Sequence, residues 1–185
     1  MGVNEDITLE VRTLKGDTVN AFATLGGYIF VFEGLVQALD NENSLAMVLG
    51  HEIAHARNRD PLLGAGRGML FQLMKSSLSG GSIDSSALDI GSELMLNTYS
   101  RDQEQAADLL AIAALHGHYG HVGGATKLFE ILRERGDASH TIEFLSSHPN
   151  LDARIDYLNS MAGERGWIEQ PTTPYPAAVQ SILWD

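Results

Sequence analysis

The hydrophobic period of this chain changes at Asn43, and that change decides the fold class. Before it, "DITLEVRTL" (6–14) carries Ile7, Leu9 and Val11 at period two, which reads as a strand. "TVNAFATL" (18–25) follows the turn Lys15-Gly16-Asp17, and Gly26-Gly27 bends the chain into "YIFVFEGL" (28–35). Three short runs joined by tight turns predict a small antiparallel sheet. From Asn43 onward, Leu45, Val48, Leu49, Ile53 and Ala56 fall on one helical face, with Ser44 or Asn43 as the cap.

The helical pattern then persists. Pro61 and the glycines at 64, 66 and 68 interrupt the first helix. "MLFQLMKSSL" (69–78) reads as helix and "SGGSIDSS" (79–86) as loop. Residues 87–100 and 101–117 form one long helix or two, and "GHYGHVGG" (117–124) reads as a loop. Residues 125–135 are amphipathic, and 151–162 read as a last helix before a Pro-rich, extended tail. The expectation is a mainly helical α+β domain. The 185 residues suit a single domain, with its core at about 5–162 and a C-terminal tail at 163–185.

Charge removes several functions. The net charge is −12 and no basic run occurs, so neither a nucleic-acid phosphate backbone nor an anionic lipid surface has a counterpart here. The absence of cysteine excludes disulfides and thiolate metal ligands. No stretch approaches the length of apolar sequence that spans a bilayer. "MGVNEDITLE" has neither the basic nor the apolar region of a signal peptide. It is read as an artificial start, so that any native signal or anchor would lie outside this sequence.

The chemistry is concentrated in "VLGHEIAHARNRD" (48–60). His51 and His55 stand at i and i+4 of the first helix, one turn apart on one face, where both imidazoles can reach one zinc ion. Glu52 stands beside the first ligand, in the position of a general base. A third ligand must come from another element. "YSRDQEQAAD" (99–108) offers Glu104, with Asp108 one turn further on. Asp108 is suited to accept a hydrogen bond from a ligand histidine, His51 by preference. Ala106, Ala107, Leu109 and Leu110 mark this helix as largely buried, and a metal would explain carboxylates there. "SSHPNLDARI" (146–155) adds His148 and Arg154. On the residues alone this is an ordinary His-Pro helix start. Oxyanion stabilisation by both residues, or a fourth zinc ligand at His148, stay open beside it. His116, His118 and His121 cluster at a helix end, where facing the helix dipole is the simpler account than a second metal.

At these residues the chain resembles the zinc metallopeptidases that include HtpX, the CAAX prenyl endopeptidase, and Oma-type and BepA-like proteases. The resemblance rests on "NAFATLGGYIFVFEGL", "AMVLGHEIAHARNRD", "SRDQEQAAD" and "SHPNLDARI", four ordered motifs across about residues 5–160. It implies a zincin-like, gluzincin fold with one zinc on His51, His55 and Glu104 and with Glu52 as base. It also implies active-site roles for His148 and Arg154. Asn20, Ala21, Phe22 and Ala23 are implied to form an edge strand that pairs with extended polypeptide substrate.

The membrane helices of HtpX and the prenyl endopeptidase have no counterpart here, so the soluble members fit better. The resemblance implies a zinc endopeptidase of the bacterial periplasm or cell envelope, engaged in protein quality control. A competing expectation is a silent zinc-binding chaperone or adaptor, which the intact Glu52 argues against. Another is a latent protease covered by the His148 loop or by the tail with Trp167 and Trp184. Met69, Leu70, Phe71, Leu73 and Met74 are read as core packing rather than a peripheral membrane or partner contact.

Overall fold

A computed structural model of the chain describes residues 8–64, 66, 99–135, 144 and 147–184. The helix expected at 69–78, the loop at 79–86 and most of the stretch 87–100 lie outside the described residues.

Three strands open the fold: β1 (Glu10–Leu14), β2 (Ala21–Ala23) and β3 (Tyr28–Phe32). Their order is β1-β3-β2. The β2–β3 pair is an antiparallel hairpin, with Phe22 opposite Phe30. Gly26 and Gly27 both take positive φ at its turn, a conformation that side chains avoid. β1 instead joins β3 in parallel, with Glu10 opposite Tyr28, so the sheet is mixed rather than wholly antiparallel. Alternation identifies a strand but not its direction. The long 15–20 connection lets β1 cross to the far side of β3. The run 28–35 also stops being a strand at Phe32, where α1 (Glu33–Leu39) begins.

The active-motif helix α2 spans Glu42–Asn58. Its cap is Asn41, neither Asn43 nor Ser44. The Asn41 side chain accepts a 2.9 Å hydrogen bond from Ser44 N. Asn43 and Ser44 are both buried inside the first turn. Arg59, in the left-handed region, ends the helix. Helix α3 (Arg101–Tyr119) starts on a capping box: Ser100 accepts from Gln103 N and the Gln103 side chain accepts from Ser100 N. It runs on to Tyr119, through part of the expected loop. Helices α4 (Lys127–Arg135) and α5 (Leu151–Arg165) follow. The tail is extended only from 167 to 176, and a further helix, α6, forms at Ala177–Trp184.

The core gathers Ile29 and Val31 of the sheet, Leu35 and Leu39 of α1, Met47 and Val48 of α2, and Ile112 and Leu115 of α3. The extended tail straps the far end of α2. Glu42 N donates to Thr173 O (2.9 Å) and Thr173 N donates to Asn43 Oδ1 (2.7 Å), so the strap satisfies a first-turn donor that a helix cannot satisfy itself. Tyr175 is buried and its hydroxyl donates to Val36 O. Gly123 has to be glycine for this approach, since a Cβ there would collide with the Gln170 carbonyl. Among the described residues no helix is long and apolar enough to cross a membrane.

Candidate metal centre

Eight ionisable side chains meet where α2, α3 and the start of α5 converge: His51, Glu52, His55, Asp60, Glu104, Asp108, His148 and Arg154. Each is at most 4% exposed. Burial of that many charges is costly unless they are paired or bind an ion. With neutral histidines, four carboxylates face one guanidinium, and the cluster carries an excess of negative charge.

Helix periodicity places the first ligands. His51 and His55 project from the same face of α2, and their Nε2 atoms lie 2.9 Å apart. Each ring has a carboxylate on its other nitrogen. His51 Nδ1 is 3.0 Å from Asp108 Oδ1, and His55 Nδ1 is 2.8 Å from Asp60 Oδ2. A carboxylate there fixes the proton on Nδ1 and leaves Nε2 as a lone pair. Glu104 supplies the third acceptor, with Oε1 3.2 Å from His55 Nε2. Ligand-type atoms of three side chains thus converge on one point, an arrangement that suits a cation once His55 gives up its second proton. His51, His55, Glu104 and His148 each offer an atom within 4.8 Å of the others'. Among the described residues, the buried atoms Glu52 Oε1 and His148 Nε2 have no hydrogen-bond partner. A borderline cation with nitrogen and oxygen ligands, such as zinc, fits this donor set.

Glu52 is fully buried beside the ligands. Its Oε2 accepts a 2.9 Å hydrogen bond from Ala23 N, and its Oε1 is 3.6 Å from His148 Nε2. Thr24 N and Phe32 N bond across the hairpin. The alternating pattern therefore turns the peptide groups of Ala21 and Ala23 away from β3, onto the free edge of β2 that faces Glu52. Phe22 points to the other face and stacks on Phe30 at 5.3 Å. Asn20 precedes the strand, and its carbonyl accepts from Phe32 N.

His148 sits within the ligand cluster, with Nδ1 3.0 Å from Glu104 Oε1 and 3.3 Å from His51 Nε2. Asn150, in the left-handed region, and Pro149 start α5 and leave His148 turned inward against the Phe144 ring (4.6 Å). Arg154 lies behind the ligands. It makes a bidentate pair with Asp108 (Nε 2.9 Å, Nη2 2.6 Å), and Nη1 pairs with Glu104 Oε2. Its guanidinium also covers the Phe129 ring.

These contacts set the ionisation of the metal-free protein. Burial opposes the charge on Glu104, but His148, His55 and Arg154 outweigh it and hold its carboxyl far below the usual range. Asp108 is also held down, because His51 and Arg154 outweigh the cost of burial. The pKa of His51 is lowered by burial and by the charge of Arg154. Burial would lower His55 too, yet its hydrogen bonds to Asp60 and Glu104 and the charge of Glu52 raise it to about 9.

Three site residues were not expected from sequence. Asp60 follows the end of α2, outside the helical motif. Tyr99 stacks on His55 at 3.9 Å. Gln103 donates to Asp60 Oδ1 at 2.7 Å. Only Gln103 had a legible signal, the Ser-x-x-Gln capping pattern. His116 stacks on Trp167 (4.6 Å), and His121 accepts from Gly123 N. The metal-suited grouping among the described residues contains neither, nor His118. Trp167 and the strap lie away from the cleft.

The pattern of peptidase family M48 matches residues 3–162. The chain belongs to peptidase family M48. This M48 chain is 30% identical, over 81% of its length, to the mitochondrial metalloendopeptidase OMA1 of Schizosaccharomyces pombe, of which it covers 45%. It is 28% identical over 82% of its length to the beta-barrel assembly-enhancing protease of Escherichia coli, and covers 34% of that protein. The human metalloendopeptidase OMA1, mitochondrial, is 29% identical over 82% of the M48 chain, which covers 32% of it. The chain thus spans 32% to 45% of the length of these relatives.

Proposed function

We propose that this M48 domain is a zinc-dependent endopeptidase, with the metal held by His51, His55 and Glu104 and with Glu52 as general base. The observation that carries the reading is the convergence of ligand-type atoms of His51, His55 and Glu104, the two histidines oriented by carboxylates, beside a buried Glu52. When bound, zinc supplies Lewis acidity that acidifies a water and polarises a carbonyl. The chain's own residues do the rest. Ala23 N–H holds Oε2 of Glu52, so that Oε1 faces the cleft to take the water proton during attack on a peptide carbonyl. Glu52 then returns the proton to the leaving amine. The free edge of β2, from Asn20 to Ala23, receives the substrate as an added extended strand. Asp108 and Arg154 act behind the ligands: Asp108 orients His51, and Arg154 neutralises Asp108 and Glu104 together. That position supports a positioning role for Arg154 over direct contact with an oxyanion.

A second reading has its own observation. The contacts of His148 with Glu104 and His51 suit a fourth ligand, which would make this a resting, latent form. In the active form His148 turns toward the oxyanion. The names of the relatives, metalloendopeptidase and protease, support a polypeptide substrate, and the resemblance to BepA-like proteases supports a place in the bacterial cell envelope. The strap's bonds to α2 support treating the chain as one metallopeptidase domain.

The test is cleavage of casein by zinc-loaded wild type and Glu52→Gln side by side, with and without a chelator. Cleavage by wild type alone, abolished by the chelator, is expected. Equal cleavage by Glu52→Gln would remove Glu52 from the mechanism. A zinc-loaded wild type that stays inert while His148→Ala cleaves would establish latency.

A further inference from the structure

The free edge of β2 leads past its last residue to an open hollow. Beyond Ala23 it runs into a cavity of about 540 Å³. One wall is the β2–β3 turn at Leu25, Gly26 and Gly27, and the other is the corner after α2 at Ala56, Pro61 and Leu62. Two of these side chains are conspicuously wet for their type, Leu25 at 47% and Leu62 at 50% exposed.

We propose that this cavity is a substrate subsite that takes a large apolar side chain one or two residues from the scissile bond. The proposal rests on the endopeptidase reading above and names the substrate class for the same cleft.

Two neighbouring relationships tie the cavity to the chemistry. Along the strand, Thr24 and Leu25 follow directly on Ala23, whose N–H meets Glu52. Along the helix, Ala56 stands four residues past Glu52 on the same face of α2, about 6 Å along the axis. An extended polypeptide advances about 3.3 Å per residue. A strand laid on the free edge of β2 with its scissile carbonyl at Glu52 therefore reaches the cavity within one or two residues. There its alternate side chains point toward α2.

The walls decide the occupant. Leu25, Leu62, Pro61, Ala56 and the two glycines supply a mainly apolar surface, with Thr8 and Thr24 adding hydroxyls, and its exposed apolar part gains by being covered. The volume exceeds that of any single side chain, so size alone excludes none. Among the described lining residues the one charged group is Arg59. It is exposed at the corner, in a left-handed conformation fixed by the end of α2. A cationic side chain would meet it directly and be rejected. Leucine, phenylalanine and methionine fit, and lysine and arginine do not.

The test uses the zinc-loaded Glu52→Gln protein, which binds without turnover, and fluorescein-labelled decapeptides read by anisotropy. The peptides are identical except for leucine, alanine or lysine at one position, which is scanned along the peptide. One or two positions are expected at which leucine binds about tenfold tighter than alanine, with lysine weakest. In the same background, Leu62→Glu removes the advantage of leucine and makes lysine the preferred residue there. Leu25→Glu, on the opposite wall, does the same. Equal binding of the three peptides at every position, no peptide binding at all, or an unchanged ranking in both variants overturns the subsite. Casein cleavage by wild type, run in parallel, separates the two ideas. Cleavage without discrimination removes only the subsite, and discrimination without cleavage by either wild type or His148→Ala removes only the endopeptidase reading.

Discussion

Asp60 shows how much one side chain outside a motif contributes. It joins His55 on one oxygen and Gln103 on the other, and so connects the ligand on α2 to the turn that carries Glu104. Asp60→Asn is expected to weaken zinc binding by roughly 10- to 100-fold while the fold persists. Chelator competition measures the affinity, and the visible spectrum of the cobalt-substituted protein reports the altered geometry at the site. Binding as tight as wild type would detach Asp60 from the metal centre. His55 makes a second prediction. Its pKa near 9 in the metal-free protein means that it carries a proton at about pH 7 and must lose it to become a ligand. Zinc uptake should therefore release a proton, readable by calorimetry in buffers of different ionisation enthalpy. The same shift has a stability counterpart. A raised folded pKa contributes stability that is complete below the unfolded value of 6.5 and is lost as pH rises toward about 9. Glu104 and Asp108, both held down, contribute stability that is present above the ordinary carboxylate range and is lost on acidification. His51, whose pKa is lowered, adds a loss that begins as pH falls below its ordinary value of 6.5, so the melting temperature of the metal-free protein should be highest near that pH and fall on both sides.

At the scale of elements, the site depends on how α5 is attached to α3. Arg154 reaches from the first turn of α5 to Asp108 and Glu104 on α3, all three buried. Arg154→Met removes the countercharge from two buried carboxylates and should cost roughly 3–5 kcal/mol, measured by urea unfolding. The capping of α2 is a smaller matter. Asn41→Ala loses the bond to Ser44 N and should cost about 1 kcal/mol. The elements also show what the sequence could and could not reveal. The helix bearing His51, Glu52 and His55 was legible because 3.6-residue periodicity and ligand spacing are the same signal. Glu104 and Asp108 were legible because an apolar helix leaves a carboxylate pair unexplained. Three further features were hidden for physical reasons. The parallel placement of β1 depends on a crossover that alternation does not encode. Asn41 was passed over as the cap because Asn43 and Ser44 are equally good capping residues by type. Asp60 lies past a left-handed residue, Arg59, so no helical spacing predicts where it points.

At the scale of the whole molecule, the strap is a stabiliser placed far from the chemistry. Its contacts fall on Val36 of α1, on residues 41–43 two to three turns before His51, and on Val122 and Gly123 after α3. Tyr175→Ala should cost about 3 kcal/mol, by analogy with other buried aromatic truncations. The melting temperature would then drop by roughly 6–12 °C, with zinc affinity retained. A parallel loss of zinc affinity would mean that strap and site are coupled through α2.

The strap also sets an order of events during synthesis. It bridges Asn41 and Pro174, and every residue of the metal centre lies between those two positions. The candidate ligand and base residues at 51–55 are made almost a hundred residues before His148, Arg154 and the strap. A chain made from its N-terminus forward thus exposes its ligand helix long before it can enclose it. The candidate centre is therefore assembled only once His148, Arg154 and the strap have followed, and a chain stopped between α2 and α5 holds its histidine pair without the side chains that enclose it.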